Sequence, residues 1–531
     1  MRAASSRGNT LSVFTFAAVL LLAAAPAVAL TTATWTGGGT PGSYNDPANW
    51  DTPAVPVNTL TEEYAVVIPD GVAVEFDVPG VQEVTDLQLG TDATLVVNPG
   101  RSLTVLDFAE VYGRVTTDNG TFSAPAPAAQ FPGDRAMANV SGGGSIDVAA
   151  TTYSSAGRRE RGTFTILSAA GAGSILDLSS VVNLLDNHHT GAYEQIHVIS
   201  ATNDGVVDLS GVQSMSGPTY EQSDRLDIVI HTGGSVMLGA LQSTTAGTGE
   251  VRFDLNLPSY TLPALTDANN TRFILADAMT LNVPVLETVN GEGFTLGNNA
   301  TVDAPLLESL TWSEVVPGAG ATFDAPNLVD ISGSVLNLSP AWTLTSDTIT
   351  RMDNARLSVS GGAQFGTAFS DVAAATYAST DIRWRGTETI LSAHGAGSLL
   401  DLASLTRIDD DHHTGSYEQI HVISATNGGV VDLSGVQSMT GPTYEEADRL
   451  DVRVASGGNV MLGALQSTTA GTGEVRFDLD VPLYTLPALE TTVNTRFILA
   501  DGRVLNLPVL VSHNGEGFTL GNNATVDAPL L

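Results

Sequence analysis

A chain of 531 residues with 54 Gly, 24 Pro and only 6% aromatic residues is too long for one ordinary globular core, and at 43% hydrophobic it is too apolar for disorder. It carries 57 acidic residues against 21 bases, every base an Arg, and a net charge of −36 sets it against nucleic acid and anionic membranes. Cys is absent, which excludes disulfides, thiol catalysis and thiolate metal sites and leaves carboxylate, carbonyl or His ligands for any metal chemistry.

Arg2 and Arg7 precede an apolar run from Leu11 to Ala25, and Ala27-Val28-Ala29 supplies a small-x-small cleavage site. The pattern predicts a secretory signal peptide over residues 1–29, the run being short for a membrane span. The expected location is therefore secreted, extracellular or on the cell surface. No later segment reads as membrane-spanning.

Residues 30–133 form a distinct opening segment. It contains Trp35-Thr36-Gly37-Gly38-Gly39 and Asn45-Asp46-Pro47-Ala48-Asn49-Trp50, followed by strand phrases such as Val66-Val67-Ile68-Pro69 and Ala93-Thr94-Leu95-Val96-Val97. It resembles the opening module of secreted bacterial β-strand-repeat and autotransporter-passenger proteins. An exposed first coil would be an adhesive edge, so this segment is expected to cap the stack of repeats. The Pro- and Ala-rich stretch Ala124–Pro132 reads as the joint.

The rest is a duplication, read as copy one over 134–357 and copy two over 358–531. His188-His189-Thr190-Gly191 recurs as His412-His413-Thr414-Gly415, and Gly291–Leu307 recurs residue for residue as Gly515–Leu531. Copy one continues past Leu307 into Glu308-Ser309-Leu310-Thr311-Trp312, so the sequence reads as stopping inside a repeat. A shorter period lies within each copy. Pro263, Pro284, Pro305 and Pro326 are 21 residues apart, and Phe253, Phe273 and Phe294 step by 20 and 21. Upstream phrases such as Val207-Asp208-Leu209-Ser210-Gly211-Val212 recur at about 30, which assigns longer loops to those turns.

This step is too short for a β-sandwich domain. It predicts an all-β chain folded as a parallel β-solenoid, with coils of about 21–31 residues stacked so that Phe meets Phe. Pro belongs where no backbone N–H is needed, at a strand end or corner. Phrases such as Asp303-Ala304-Pro305-Leu306-Leu307 resemble the degenerate units of adhesin-like β-helices, and are similar to the leucine-rich β-helical L domains of receptors.

Three constellations are candidates for chemistry. The first is the His-rich segment Asp186-Asn187-His188-His189-Thr190-Gly191-Ala192-Tyr193-Glu194 and its counterpart from Asp409 to Glu418. It reads as a solvated turn. Its two His with nearby acids suit a transition metal, and Asp186, Asp409, Asp410 and Asp411 alone suit calcium. The second is a face of long loops, Asn183–Tyr193, Ser216–Ser223 and Ser243–Gly249, where stacking would display His188, His189, Tyr193, Glu194, Tyr220 and Glu221. The matching set is His412, His413, Tyr417, Glu418, Tyr444 and Glu445. The third is the column Asp227, Arg252, Arg272, matched by Asp451, Arg476, Arg496. It resembles the strand Arg beside calcium-binding acids of β-helical polysaccharide lyases, and on its own residues reads as an ion ladder compensated by Glu250 or Asp254.

No phosphate-binding loop, metalloprotease helix or Ser-elbow motif is present. The expected function is a surface binding or adhesion protein for a carbohydrate or protein ligand, not an enzyme. The alternatives are a polysaccharide lyase or hydrolase and a structural component of an envelope or matrix.

Overall fold

A computed structural model describes residues 28–531 except 126–128, 132–134, 156, 158–160, 187, 189–193, 221–222, 232, 367–370, 383–385, 413–417 and 445–446. The leader expected over residues 1–29 thus lies almost entirely outside the described residues. No helix among the described residues is long and apolar enough to cross a membrane.

The chain is a parallel β-solenoid. Strand sequences alternate, as Arg225–His231 does with Leu226, Ile228 and Ile230 turned into the core, and period-two alternation of this kind buries one face of each strand. Three short ladders run along the stack. In a 21-residue coil the chain forms Thr288–Asn290, turns, continues as Glu292–Leu296, turns again and forms Thr301–Asp303. Each segment pairs in parallel with its equivalents one coil away: Asp267 with Thr288, Phe273 with Phe294, Leu281 with Val302.

The 21-residue rows expected from sequence are the ladders of the core. Phe253, Phe273 and Phe294 are fully buried and stacked, with ring centroids 5.1 and 5.2 Å apart. Phe477, Phe497 and Phe518 repeat this at 5.1 and 5.4 Å. The Pro row occupies a corner. Leu286 N–H donates to Val283 O across the turn holding Pro284, so the N–H that Pro lacks is not needed.

A second corner imposes a left-handed backbone. Asn270, Gly291, Trp312, Gly333 and Asn354 follow one another in successive coils, all with positive φ (+46°, +78°, +52°, +73° and +60°). Asn and Gly are the residues that tolerate this region; Trp is not.

Coil length varies at this same corner. Between the first of these ladders and the long strand the chain inserts residues 186–194, then 217–224, then 246–249, and finally Asn270 alone. The long loops expected from sequence are therefore shorter than drawn. Asn183–Leu185, Ser216 and Ser243–Thr245 are not loop but strand, in a ladder that pairs Asn183 to Ser214 to Ser243.

Ladders also run through the boundaries drawn at 133 and 357. Arg114 pairs with Met137, and the strand Arg356–Ser360 pairs both back to Val335–Leu338 and forward to Gly386–His394. At the N-terminal end Leu30–Thr34 forms an edge strand against Glu63–Val67. Trp35, Trp50, Tyr44 and Phe76 pack edge to face beside it at 4.7–5.2 Å, and Trp50 Nε1 donates to Tyr44 O.

Replacing Phe273 by Ala removes the middle ring of a closed stack. It is expected to lower stability by about 3–5 kcal/mol, seen as a lower denaturant midpoint, whereas Phe518→Ala at the half-buried end of the second stack costs less.

Candidate functional site

Inward positions of the strand Gln195–Thr202 are Gln195, His197, Ile199 and Ala201, all buried. Two polar residues thus head an otherwise apolar column, and the widened corner beside them is filled from the opposite side by Asp186 and His188, both 0% exposed. Asp186 Oδ1 accepts from Ser155 Oγ at 2.5 Å and lies 2.5 Å from His197 Nδ1. Gln195 Nε2 lies 2.9 Å from His197 Nε2, and an amide nitrogen can only donate, so the proton of His197 sits on Nδ1. Gln195 N–H donates to Asp224 Oδ1 at 2.8 Å.

His188 is held differently. Its Nε2 is 3.3 Å from Gln195 O, a carbonyl that can only accept. Its Nδ1 is 3.3 Å from Asp186 Oδ2, and neither atom makes a hydrogen bond. Copy two rebuilds the arrangement: Asp410 Oδ1 to His421 Nδ1 is 2.5 Å, Asp410 Oδ2 to His412 Nδ1 is 3.2 Å and unbonded, and Ser379 Oγ donates to Asp410. The His ring centroids are 4.1 Å apart in both copies.

Burial works against the charge on Asp186, but His197 and His188 outweigh it and hold the carboxyl below its ordinary range; Asp410 behaves alike. Burial likewise opposes protonation of His188 and His412. Their Asp partners, helped by Asp224 and Asp448, prevail and raise both above the ordinary imidazole value. Each cluster is a pocket of negative potential that draws positive charge to the space between Asp and His.

This corrects two expectations. His188, His412, Asp186 and Asp410 are enclosed, not displayed on a solvated turn, because their polar atoms face the inward polar residues of the adjoining strand, His197 and Gln195 in copy one and His421 and Gln419 in copy two. Nor do Asp409, Asp410 and Asp411 converge as a calcium cage. Asp409 ends a strand and pairs with Arg407 at 2.6 Å, Asp410 turns inward, and Asp411 accepts from Thr443 N and Oγ1 at 3.0 and 2.5 Å. Glu194 and Glu418 are exposed and pair with Arg225 and Arg449 at 3.1 and 2.9 Å. Tyr220 and Tyr444 are exposed, at 68% and 66%. His189, Tyr193, Glu221, His413, Tyr417 and Glu445 lie outside the described residues. His197, Gln195 and Ser155 went unnoticed in the sequence, although two polar residues at inward positions of an alternating strand were a legible sign.

The third constellation forms in register: Asp227 pairs with Arg252 and Arg252 with Arg272. Glu250 joins the two Arg, at 2.7 Å to Arg252 Nε and 3.4 Å to Arg272 Nε, while Asp254 goes to His231 at 3.1 Å. Hydrogen bonding to Glu250 raises the Arg252 guanidinium further above its already high value. Arg476, Arg496 and Glu474 repeat the ladder at 2.9 and 3.1 Å.

That ladder leads into a groove of about 590 Å³ lined by Arg272, Glu292, Trp312, Glu314, Gly333 and Arg356, with Asp381 and Ile382 at one side. It forms where the corner has contracted to a single residue. Longer corners precede and follow it in the chain, 246–249 in copy one and 379–385 in copy two, of which 383–385 lie outside the described residues. Trp312, 51% exposed, forms part of the lining, its ring over Gly333; a Cβ at Gly333 would sit 2.4 Å from that ring. Arg272 pairs with Glu292 as well as Glu250, and Arg356 with Glu388 at 3.4 Å.

Comparison with protein-family models, with curated proteins and with solved structures gives no match in any of the three. What the site can do rests on its own geometry.

Removing one partner of an enclosed ionic cluster strands the other, so Asp186→Ala is expected to cost about 3–5 kcal/mol. Glu194→Ala, at an exposed pair, is expected to cost about 0–1 kcal/mol. Amide exchange across Gln195–Thr202 distinguishes the two.

Proposed function

We propose that this is a secreted, surface-displayed binding protein of adhesin type that holds a neutral carbohydrate chain in the groove at Trp312. One observation carries the reading: a half-exposed Trp kept in a left-handed backbone conformation at a corner otherwise built from Asn and Gly. That conformation costs about 1–2 kcal/mol for a residue with a Cβ. Strain of this kind is sustained where the side chain's position matters. An indole face suits the apolar face of a sugar ring, and the flanking Arg and Glu side chains suit its hydroxyls. The described groove cations are already paired with carboxylates, which favours recognition over catalysis. The net charge of −36 argues against a polyanionic ligand. The Arg2/Arg7 leader supports export.

The test is a neutral-glycan array followed by titration with the best oligosaccharide found. Trp312→Ala is expected to weaken binding at least tenfold, about 1.4 kcal/mol. Trp312→Gly is expected to do the same while changing stability by no more than about 1 kcal/mol, because Gly accepts the backbone conformation without cost. Unchanged affinity in both variants, or a wild-type protein that binds no glycan, would overturn the reading.

A further inference from the structure

The unbonded edge in each buried cluster is the least explained feature of the molecule. In copy one, Asp186 Oδ2 and His188 Nδ1 face each other across 3.3 Å with no hydrogen bond between them; in copy two, Asp410 Oδ2 and His412 Nδ1 do so across 3.2 Å. With His188 Nε2–H committed to the Gln195 carbonyl, Nδ1 turns toward the carboxylate oxygen either a second proton, when the ring is charged, or a lone pair, when it is neutral. In the neutral state two acceptors face each other in an enclosed space and repel unless a proton or a metal ion lies between them.

The spacing identifies what fits. An ion bound at about 2.0–2.2 Å by imidazole nitrogen and carboxylate oxygen in tetrahedral geometry separates its ligands by about 3.3–3.5 Å. Both orphaned edges are close to that length. His197 brings a third donor, and the ligand atoms of Asp186, His188 and His197 all lie within 4.8 Å of one another, as do those of Asp410, His412 and His421. All six residues are fully buried. The donor set of two imidazoles and one carboxylate suits zinc-type divalent transition metals, whereas calcium requires six to eight oxygens.

We propose that each cluster is a binding site for one zinc-type transition-metal ion, held by Asp186, His188 and His197 in copy one and by Asp410, His412 and His421 in copy two. The ion replaces the proton that now joins His197 Nδ1 to Asp186, since a ligating imidazole nitrogen must give its proton up. The other nitrogen of that ring then carries the hydrogen and needs an acceptor. In copy two Gln419 Oε1 is buried without a hydrogen bond, and turning the amide over aims it at His421 Nε2 at the loss of the bond that Gln419 Nε2 now donates to Ile382 O. The ion therefore gives two orphaned atoms, Asp410 Oδ2 and His412 Nδ1, a shared partner. This site is independent of the groove at Trp312.

The experiment is to strip the full-length chain with chelator, refold it with Zn²⁺, with Co²⁺ or with Ca²⁺, desalt it, and measure bound metal by mass spectrometry. Two Zn²⁺ per chain are expected, with a raised thermal midpoint and, for Co²⁺, the visible absorption of tetrahedral nitrogen and oxygen ligation. His188→Gln and His412→Gln should each remove one ion, and the double variant both. Fewer than one tightly held Zn²⁺ per refolded wild-type chain would overturn the proposal. So would retention of Ca²⁺ instead of Zn²⁺, or unchanged Zn²⁺ content in the double variant. Because wild-type stoichiometry decides the first two outcomes, a variant that fails to fold does not rescue the idea.

Discussion

The hydrogen-bond ladder between neighbouring coils is the constraint on which every other feature of the molecule depends. Parallel in-register pairing makes each residue answer to its equivalent one coil away, in both side chain and backbone angle. Where the chain must turn left-handed, every coil must supply a residue that can do so, and Asn270, Gly291, Gly333 and Asn354 meet the demand at little cost. Trp312 meets it at a cost. The same ladder lets Gly291 and Gly333 sit beneath the larger Asn270 and Trp312 side chains, so that small and large residues alternate along the corner.

Insertions are tolerated at that corner because the ladders on either side keep their register around them. The backbone of one insertion pairs with the next, as Gly247 N–H does with Pro218 O and Thr248 N–H with Thr219 O. A wider corner also leaves interior space next to polar backbone. Where the insertion is longest the space holds the Asp–His–His cluster; two coils further it holds the buried Thr244–Thr271 hydroxyl pair at 2.8 Å; in the short coils Ser313 N–H donates to Ser334 Oγ. The polar filling shrinks with the loop. The groove lies along the coils in which that corner is a single residue.

The architecture was legible in the sequence because Pro and Phe recur at a fixed step, and a fixed step in a β chain admits few arrangements. The register of Asp227, Arg252 and Arg272 was legible for the same reason. Three-residue strands such as Asn183–Leu185 were not, because they are too short to display an alternation and merged with the loops behind them. His197 was hidden for a different reason: sequence proximity drew attention to the adjacent pair His188-His189, whereas the cluster is assembled across a corner from residues on two strands. Trp312 gave no periodic signal at all. Its meaning lies in being the exception in a column that only the stacked structure reveals.

The two copies also bear on which residues the fold can do without. Between them Leu185 has become Asp409, Asn183 has become Arg407 and Val182 has become Thr406, changes at exposed or half-exposed positions that alter charge and polarity freely. Beside the cluster, buried apolar positions have stayed apolar, Leu184 to Ile408 and Val181 to Leu405, whereas further along the copy Ala268 has become Thr492, Met279 has become Arg503 and Val289 has become His513. Ser155, Asp186, His188, Gln195, His197 and Asp224 have not changed. Identity alone would say little in a duplicated chain, but retention amid substitution on both sides says more. A core that accepts Ile for Leu also has apolar substitutes for an enclosed ionic cluster, since well-packed hydrophobic replacements of such clusters are often neutral or stabilising. Stability by itself is therefore a poor reason to keep six polar residues enclosed at one corner twice over, and a bound ion that needs those donors is a better one.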